Sequence, residues 1–137
     1  MVFLDEHDET RRGAKADDTA YKGGRHMVIV LFGTEMRHDA DLEDYEARSA
    51  RMDELVRQMP GFISVKSYMA ADGDAVVIAR FASEEALDAW RLHPEHVLSH
   101  RKGREDYYES YWVQVCTTIR DYAFHRQPEQ QAPASAQ

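Results

Sequence analysis

Phe62-Ile-Ser-Val-Lys-Ser-Tyr68-Met69, Ala70-Ala71-Asp72-Gly73-Asp74 and Ala75-Val-Val-Ile-Ala-Arg80-Phe81 follow one another in the chain. The first and last runs are rich in β-branched and aromatic residues, which fit a pleated, half-buried surface. Asp72-Gly73 between them suits a type I′ turn, which needs positive φ at both central residues. The spacing predicts a hairpin with strands 62–69 and 75–81. What flanks that hairpin on either side decides the architecture.

Before it, Pro60-Gly61 stops a helix that Asp39 or Asp41 caps and that runs to about Gln58. Leu42, Tyr45, Ser49, Met52, Val56 and Met59 recur at helical spacing as one apolar stripe. The opposite side carries Glu43, Asp44, Glu46, Arg48, Arg51, Asp53, Glu54 and Arg57, a solvated face. Earlier still, Met27 to Met36 begins almost wholly apolar, as expected of a strand covered on both faces. After the hairpin, Ser83 caps a second helix, with Glu84 and Glu85 at its positive end and Leu87 and Trp90 on one face. Pro94 breaks this helix and starts another that ends near Gly103. Tyr107 to Ala123 reads as a long last strand, with Val113, Val115, Thr117 and Ile119 on one face and Trp112, Gln114, Cys116 and Thr118 on the other.

The order strand, helix, strand, strand, broken helix, strand predicts an α+β fold of ferredoxin-like, split βαβ type: a four-stranded antiparallel sheet with helices on one face. The other sheet face needs a cover, and neither tail has enough regular apolar character to supply it. A second copy of the chain can, so a homodimer is expected.

At 137 residues the chain holds one domain. Its expected division is a polar arm over 1–25, a folded domain over 26–125 and a low-complexity tail over 126–137. A net charge of −8 with no basic stripe argues against nucleic acid as a partner. The longest apolar run, Met27 to Phe32, is too short to span a membrane. A single cysteine, Cys116, fits a reducing compartment, and the opening residues lack the pattern of a secretion signal, so a cytoplasmic location is expected.

Chemistry concentrates between Trp90 and Tyr111, where Trp90, His93, His96, His100, Tyr107, Tyr108 and Tyr111 fall within one short span. With Pro94 at the first helical position, His93 takes the N-cap and His96 and His100 stand one turn apart on a common stripe. A helix stripe of this kind is ordinarily core. A tryptophan in it can be both packed from behind and the wall of a cavity. His96 and His100 could share a metal, but no carboxylate stands in fixed register with them, so no metal site is expected.

Several of these features together resemble the antibiotic biosynthesis monooxygenase family of dimeric α+β barrels. They are the element order, Pro60-Gly61-Phe62, Phe81 followed by Ser83-Glu84-Glu85-Ala86-Leu87, Trp90, His93-Pro94-Glu95-His96, and Gly103-Arg104 ahead of Tyr107-Tyr108. The resemblance covers about residues 27–122. It implies a monooxygenase that needs no cofactor, acting on a small aromatic substrate, a quinol or polyketide-like phenol, with dioxygen. A base would deprotonate the phenol so that the substrate itself reduces dioxygen, and His100 or His96 is the candidate. Near a helix N-terminus His96 is held neutral, which favours it as base. The spacing from Trp90 favours His100, which ranks first because a base must reach its proton. Trp90, Phe32 and Tyr68 are expected as apolar walls, Tyr107 or Tyr108 to hold a substrate oxygen, and Arg104 or Arg80 to stabilise the oxyanion.

Two alternatives stay open. Haem-degrading members of the same fold carry a Trp, a His ten positions later and an Asn on the first strand. Trp90 and His100 match, which would make His100 the ligand of a haem, but the chain has no Asn and places Phe32 or Gly33 there. In the other alternative, a non-catalytic dimeric module holds a small ligand in a cavity packed by Phe32, Tyr68, Trp90 and Trp112.

Overall fold

A computed structural model describes residues 26–128. The arm expected over 1–25 and residues 129–137 of the expected tail lie outside the described residues. The elements in order are β1 (Val28–Met36), α1 (Leu42–Val56), β2 (Phe62–Met69), β3 (Ala75–Phe81), α2 (Glu84–Arg91), α3 (Pro94–Lys102), a π-helical turn (Gly103–Tyr107) and β4 (Tyr108–Thr117). The strands form one antiparallel sheet in the order β2-β3-β1-β4. This is the ferredoxin-like arrangement, with β1 and β3 central and the helices on one face.

Alternation along the strands sorts the two faces. Val28, Val30 and Phe32 of β1, with Ala79 and Phe81 of β3, point to the helices and join Met52, Val56, Leu87, Trp90, Tyr107 and Tyr108 in the core. The neighbouring positions Ile29, Leu31 and Gly33 take the open face. Asp41 caps α1 by accepting from the Asp44 N–H, and Ser83 caps α2 by accepting from the Ala86 N–H. The N-cap of α3 is the ring of His93, whose Nδ1 accepts from the Glu95 N–H at 3.2 Å.

Three local expectations need correction. The hairpin loop is not a two-residue turn. Gly73 N–H donates to the Ala70 carbonyl (3.0 Å) and Ala70 N–H to that of Asp74 (2.7 Å), so the loop spans 71–73. Only its last residue, Gly73, needs a positive φ, 96°. The last strand begins at Tyr108 and ends at Thr117, not at Ala123. Its N-terminal side is taken by the π-helical turn, and beyond Thr118, whose N–H still reaches the Met27 carbonyl, β1 has no residues left to pair with. Leu42 is exposed, so the buried stripe of α1 starts at Tyr45.

Gly61 has φ 82°, and a Cβ there would sit 2.6 Å from Cβ of Ala86. Gly73 has φ 96° with open space around it. Gly73→Ala is expected to cost only the left-handed backbone penalty, about 1–2 kcal/mol. Gly61→Ala adds an overpacking cost of about 1–3 kcal/mol, because α2 must move away from β2. Urea unfolding of the two variants should give the lower midpoint for Gly61→Ala.

Candidate functional site

Two layers of aromatic side chains meet between the helices and the sheet. Trp90 arrives from α2, His96 and His100 from α3, Phe32 from β1, and Tyr108 and Tyr111 from β4. Trp90 is 0 %, His96 1 % and His100 4 % exposed. The ring of His96 lies 4.7 Å from that of Trp90 and 6.5 Å from His100, and His100 stands edge-on to Tyr111 at 5.7 Å. Phe32 closes the row from below, 5.7 Å from both Tyr108 and Tyr111. The i, i+4 spacing of His96 and His100 puts both on the buried side of α3, with Ser99 buried beside them.

The backbone sets the tautomer of His96. Its Nδ1 lies 3.3 Å from the Arg91 carbonyl oxygen, which can only accept. Nδ1 therefore carries the proton, and in the neutral ring Nε2 keeps the lone pair. Arg91 O is one of the last carbonyls of α2, so the break at Pro94 turns a helix end into an acceptor for the histidine.

Tyr107 and Arg104 come from the π-helical turn. The Tyr107 hydroxyl donates to Asp44 of α1 and lies 3.3 Å from Nε of Arg48, which donates to it. Burial, then the bond to Asp44, raises the Tyr107 pKa above the ordinary tyrosine value. Lys102 pairs with Asp106 at 2.7 Å and approaches Asp44 at 3.8 Å, and the bond to Asp106 raises its pKa in turn. From the other side Arg37 donates to the Glu105 carbonyl at 2.7 Å, and its own N–H to that of Tyr107 at 2.8 Å. So anchored, the turn holds the Arg104 guanidinium 6.0 Å from the centre of the Tyr111 ring, at the exposed end of the aromatic row.

The structure thus brings Trp90, His96, His100, Phe32 and Tyr108 together, with Tyr107 behind them and Arg104 at the rim. Tyr68 does not join them. It is 46 % exposed and stands on the opposite face of the sheet, as does Arg80. Trp112, 49 % exposed, is also on that face, its ring lying over Gly33 where a Cβ would come within 2.0 Å of Nε1. The joint cavity expected among Phe32, Tyr68, Trp90 and Trp112 therefore cannot form, because the sheet itself separates the two pairs. Instead Tyr68, Trp112, Gly33, Val76, Glu35, Asp74 and their neighbours line a half-open trough of about 520 Å³ on the open face. Sequence reading put Tyr45 in the α1 stripe and Tyr111 in the span after Trp90 but gave neither a place in the site. Tyr45 packs against Tyr107 and Tyr108, at 5.2 and 5.9 Å, and Tyr111 links His100 to Phe32. The signal for Tyr111 was its parity with Val113 on the last strand.

Haem does not fit this packing. Phe32 or Gly33 stands where the haem-degrading pattern has Asn; neither has a side-chain donor, and the rings of Phe32 and Tyr111 fill the layer beside His100. Among the described residues no three His, Cys, Asp or Glu side chains converge as a metal ion requires, and no helix is long and apolar enough to cross a membrane.

Comparison with known proteins places these features in context. Residues 27–102 match the sequence profile of the family described as antibiotic biosynthesis monooxygenase. The uncharacterized protein YqjZ of Bacillus subtilis (strain 168) is 38 % identical over 99 residues, covering 72 % of this chain and 84 % of the relative. The structure of Rv0793 from Mycobacterium tuberculosis superposes with a TM-score of 0.62 at 26 % identity, covering 71 % of this chain and 99 % of that one. SnoaB of Streptomyces nogalater, a cofactor-independent oxygenase, gives a TM-score of 0.58 at 16 % identity over 72 % of this chain and 97 % of its own, a likeness of fold.

The Tyr107 hydroxyl ties α1 to the turn, and Asp44 is half exposed with Lys102 close by, so Tyr107→Phe is expected to cost about 0.5–1.5 kcal/mol, the net worth of the lost bond. The raised Tyr107 pKa adds a pH dependence. Its stabilisation is complete below the unfolded-state tyrosine value, 10.0, and is lost as pH rises from there through the higher folded-state value. Unfolding midpoints taken from pH 8 upward should fall above that value in the parent, and fall less in Tyr107→Phe.

Proposed function

The chain belongs to the antibiotic biosynthesis monooxygenase family, and on that premise we propose that it is a cofactor-independent monooxygenase of an electron-rich aromatic, a quinol or polyketide-type phenol. The observation that carries the reading is the buried row Trp90–His96–His100–Tyr111, which sets imidazole nitrogens against aromatic walls and ends at an arginine. The oxygenase description of SnoaB, on the same fold, supports the same chemistry without a cofactor.

In this reading a histidine removes the phenol proton, and the resulting anion gives its electrons to dioxygen. Dioxygen bonds to the ring carbon opposite the phenolate oxygen; as that carbon gives up its hydrogen as a proton the O–O bond breaks, one oxygen stays as the new quinone carbonyl, and the other takes the two protons and leaves as water, so the substrate supplies every electron. His100 is the base. It is next to Tyr111, which is only half-buried and borders Arg104, so a substrate entering from that end meets His100 before His96. Arg104 then stabilises the phenolate, and Trp90 and Phe32 exclude water, which strengthens that interaction. His96, one turn deeper and oriented by the Arg91 carbonyl, accepts the proton in its turn or holds the row in place.

The tight packing of the row favours a second reading, a dimeric module that binds a small ligand without turning it over. Oxygen uptake over a panel of quinols separates the two. The parent is expected to consume oxygen, with His100→Ala slower by about 10²–10⁴-fold. Full activity in both His100→Ala and His96→Ala would remove histidine from the mechanism, and no uptake with any quinol that binds would leave the module.

We also propose that the open sheet face is covered by a second copy. Ile29, Leu31, Val76 and Ile78 are half-buried there, and among the described residues no layer lies above them. Sedimentation at micromolar concentration should give twice 15.8 kDa, and a monomer alone would overturn the dimer.

A further inference from the structure

A connected file of tyrosines leads away from the histidine row. Tyr111 stands edge-on to His100 at 5.7 Å and lies 6.0 Å from Tyr108. Tyr108 lies 6.5 Å from Tyr107 and 5.9 Å from Tyr45, and Tyr45 is 5.2 Å from Tyr107. The file starts at the half-buried Tyr111, passes through the buried Tyr108 and ends at the buried Tyr107, against α1. Phenylalanine would fill this space as well, so packing alone gives no reason for a hydroxyl on each ring. The hydroxyls differ in what they donate to. That of Tyr108 donates to the Tyr45 hydroxyl at 3.4 Å, a neutral oxygen. That of Tyr107 donates to the carboxylate of Asp44, which is half exposed on α1.

This difference matters for electron transfer. A tyrosine gives up an electron readily only if its phenol proton leaves with it, because the cation that would otherwise remain is a very strong acid. A hydrogen-bonded carboxylate takes that proton without a search, and a half-exposed one passes it on to water. A neutral hydroxyl is a far poorer base. Among the described residues the charges around Tyr107 also balance. Arg48 donates to its hydroxyl at 3.3 Å and Lys102 lies 5.9 Å from its ring centre, while Asp44 and Asp106 face Lys102 at 3.8 and 2.7 Å. Loss of an electron there is not opposed by an excess of positive charge.

We propose that Tyr111, Tyr108 and Tyr107, with Tyr45 beside them, relay single oxidising equivalents out of the site, and that the Tyr107–Asp44 pair is where they come to rest. The need for a relay rests on the oxygenase reading above. Dioxygen is a triplet and takes electrons from the phenolate one at a time. The first transfer leaves an aryloxyl radical and superoxide, and with the proton held by His100 the superoxide becomes a hydroperoxyl radical. When the two radicals combine, the reaction proceeds. A hydroperoxyl radical that parts from its partner instead takes an electron from the file and a proton from water, and becomes hydrogen peroxide. Tyr107 supplies that electron, its proton goes to Asp44, and a neutral tyrosyl radical remains. A soluble enediol of the ascorbate type then gives an electron at the α1 surface and its own proton to water. Asp44 hands its proton back, and Tyr107 is restored. The oxidising equivalent is thus drawn away from Trp90 and His100, which the proposed reaction needs.

A photo-oxidant supplies the equivalents without any substrate. A ruthenium polypyridyl group on the thiol of Arg104→Cys, in a Cys116→Ser background, stands against Tyr111, since Arg104 lies 6.0 Å from that ring and Cys116 carries the free thiol to be removed. After a flash in the presence of persulfate, this labelled reference protein is expected to give a long-lived tyrosyl signal by electron paramagnetic resonance. The signal should form more slowly in heavy water, because a proton moves with the electron. Tyr107→Phe and Asp44→Asn should each lower its yield by roughly 10- to 100-fold, the worth of a hydrogen bond to a charged group expressed as a rate. Asp44→Asn keeps every ring of the file, so it separates the relay from a loss of packing. Tyr68→Phe, on the opposite face of the sheet, should leave the yield unchanged. No tyrosyl signal in the reference protein, an unchanged yield in either Tyr107→Phe or Asp44→Asn, or an equal drop in Tyr68→Phe overturns the relay. The flash needs no quinol, so a protein that passes this test yet consumes no oxygen with any quinol keeps the relay and loses the oxygenase reading.

Discussion

The register of β1 between β3 and β4 is the constraint on which the rest of the protein depends. Phe32 lies between Val77 and Val113 and points to the helices; Gly33 lies between Val76 and Trp112 and points away. A slip of one residue would reverse every side chain of this central strand. Phe32 would then collide with the Trp112 ring, and the aromatic row under α3 would lose its floor. The register is strongly set, because Val28, Val30 and Phe32 are all buried on one side while the glycine alone leaves space for an indole on the other.

The same constraint explains which parts of the site were legible in the sequence. Helical and strand periods placed the hairpin strands at their observed bounds, and Pro94 with His93 before it marked the start of α3. The histidine pair was readable because i, i+4 spacing on a helix fixes a shared face with no knowledge of the partner. Tyr68 and Phe32 were grouped wrongly for the opposite reason. Alternation tells which residues of one strand share a face, but only the pairing between strands tells which faces coincide, and that pairing is long-range. Tyr45 is a similar case: its contacts with Tyr107 and Tyr108 join residues more than 60 positions apart in the chain.

The turn after α3 was not legible at all. Gly103 to Tyr107 has an ordinary helical composition apart from its glycine, and nothing local asks for a wider helical turn. Its conformation is held from outside, by Arg37 on the Glu105 carbonyl and by Asp44 and Arg48 on the Tyr107 hydroxyl. Groups from β1's end and from α1 thus decide where Arg104 stands over Tyr111, so the rim of the candidate site is set by residues that do not line it.

That turn also acts as a phase-setter for the chain. A π-helical turn is in effect an α-helical one with a residue added, and each added residue advances the helix by about 100°. Tyr107 and Tyr108 are adjacent yet both buried, one reaching back to α1 and the other into the sheet core. A plain α-helix running directly into a strand would be hard put to aim two consecutive rings inward. Seen this way, the extra residue is a gear tooth between two periodicities: it ends the 3.6-residue count of α3 at the angle from which the two-residue count of β4 can begin with its tyrosines already facing the core.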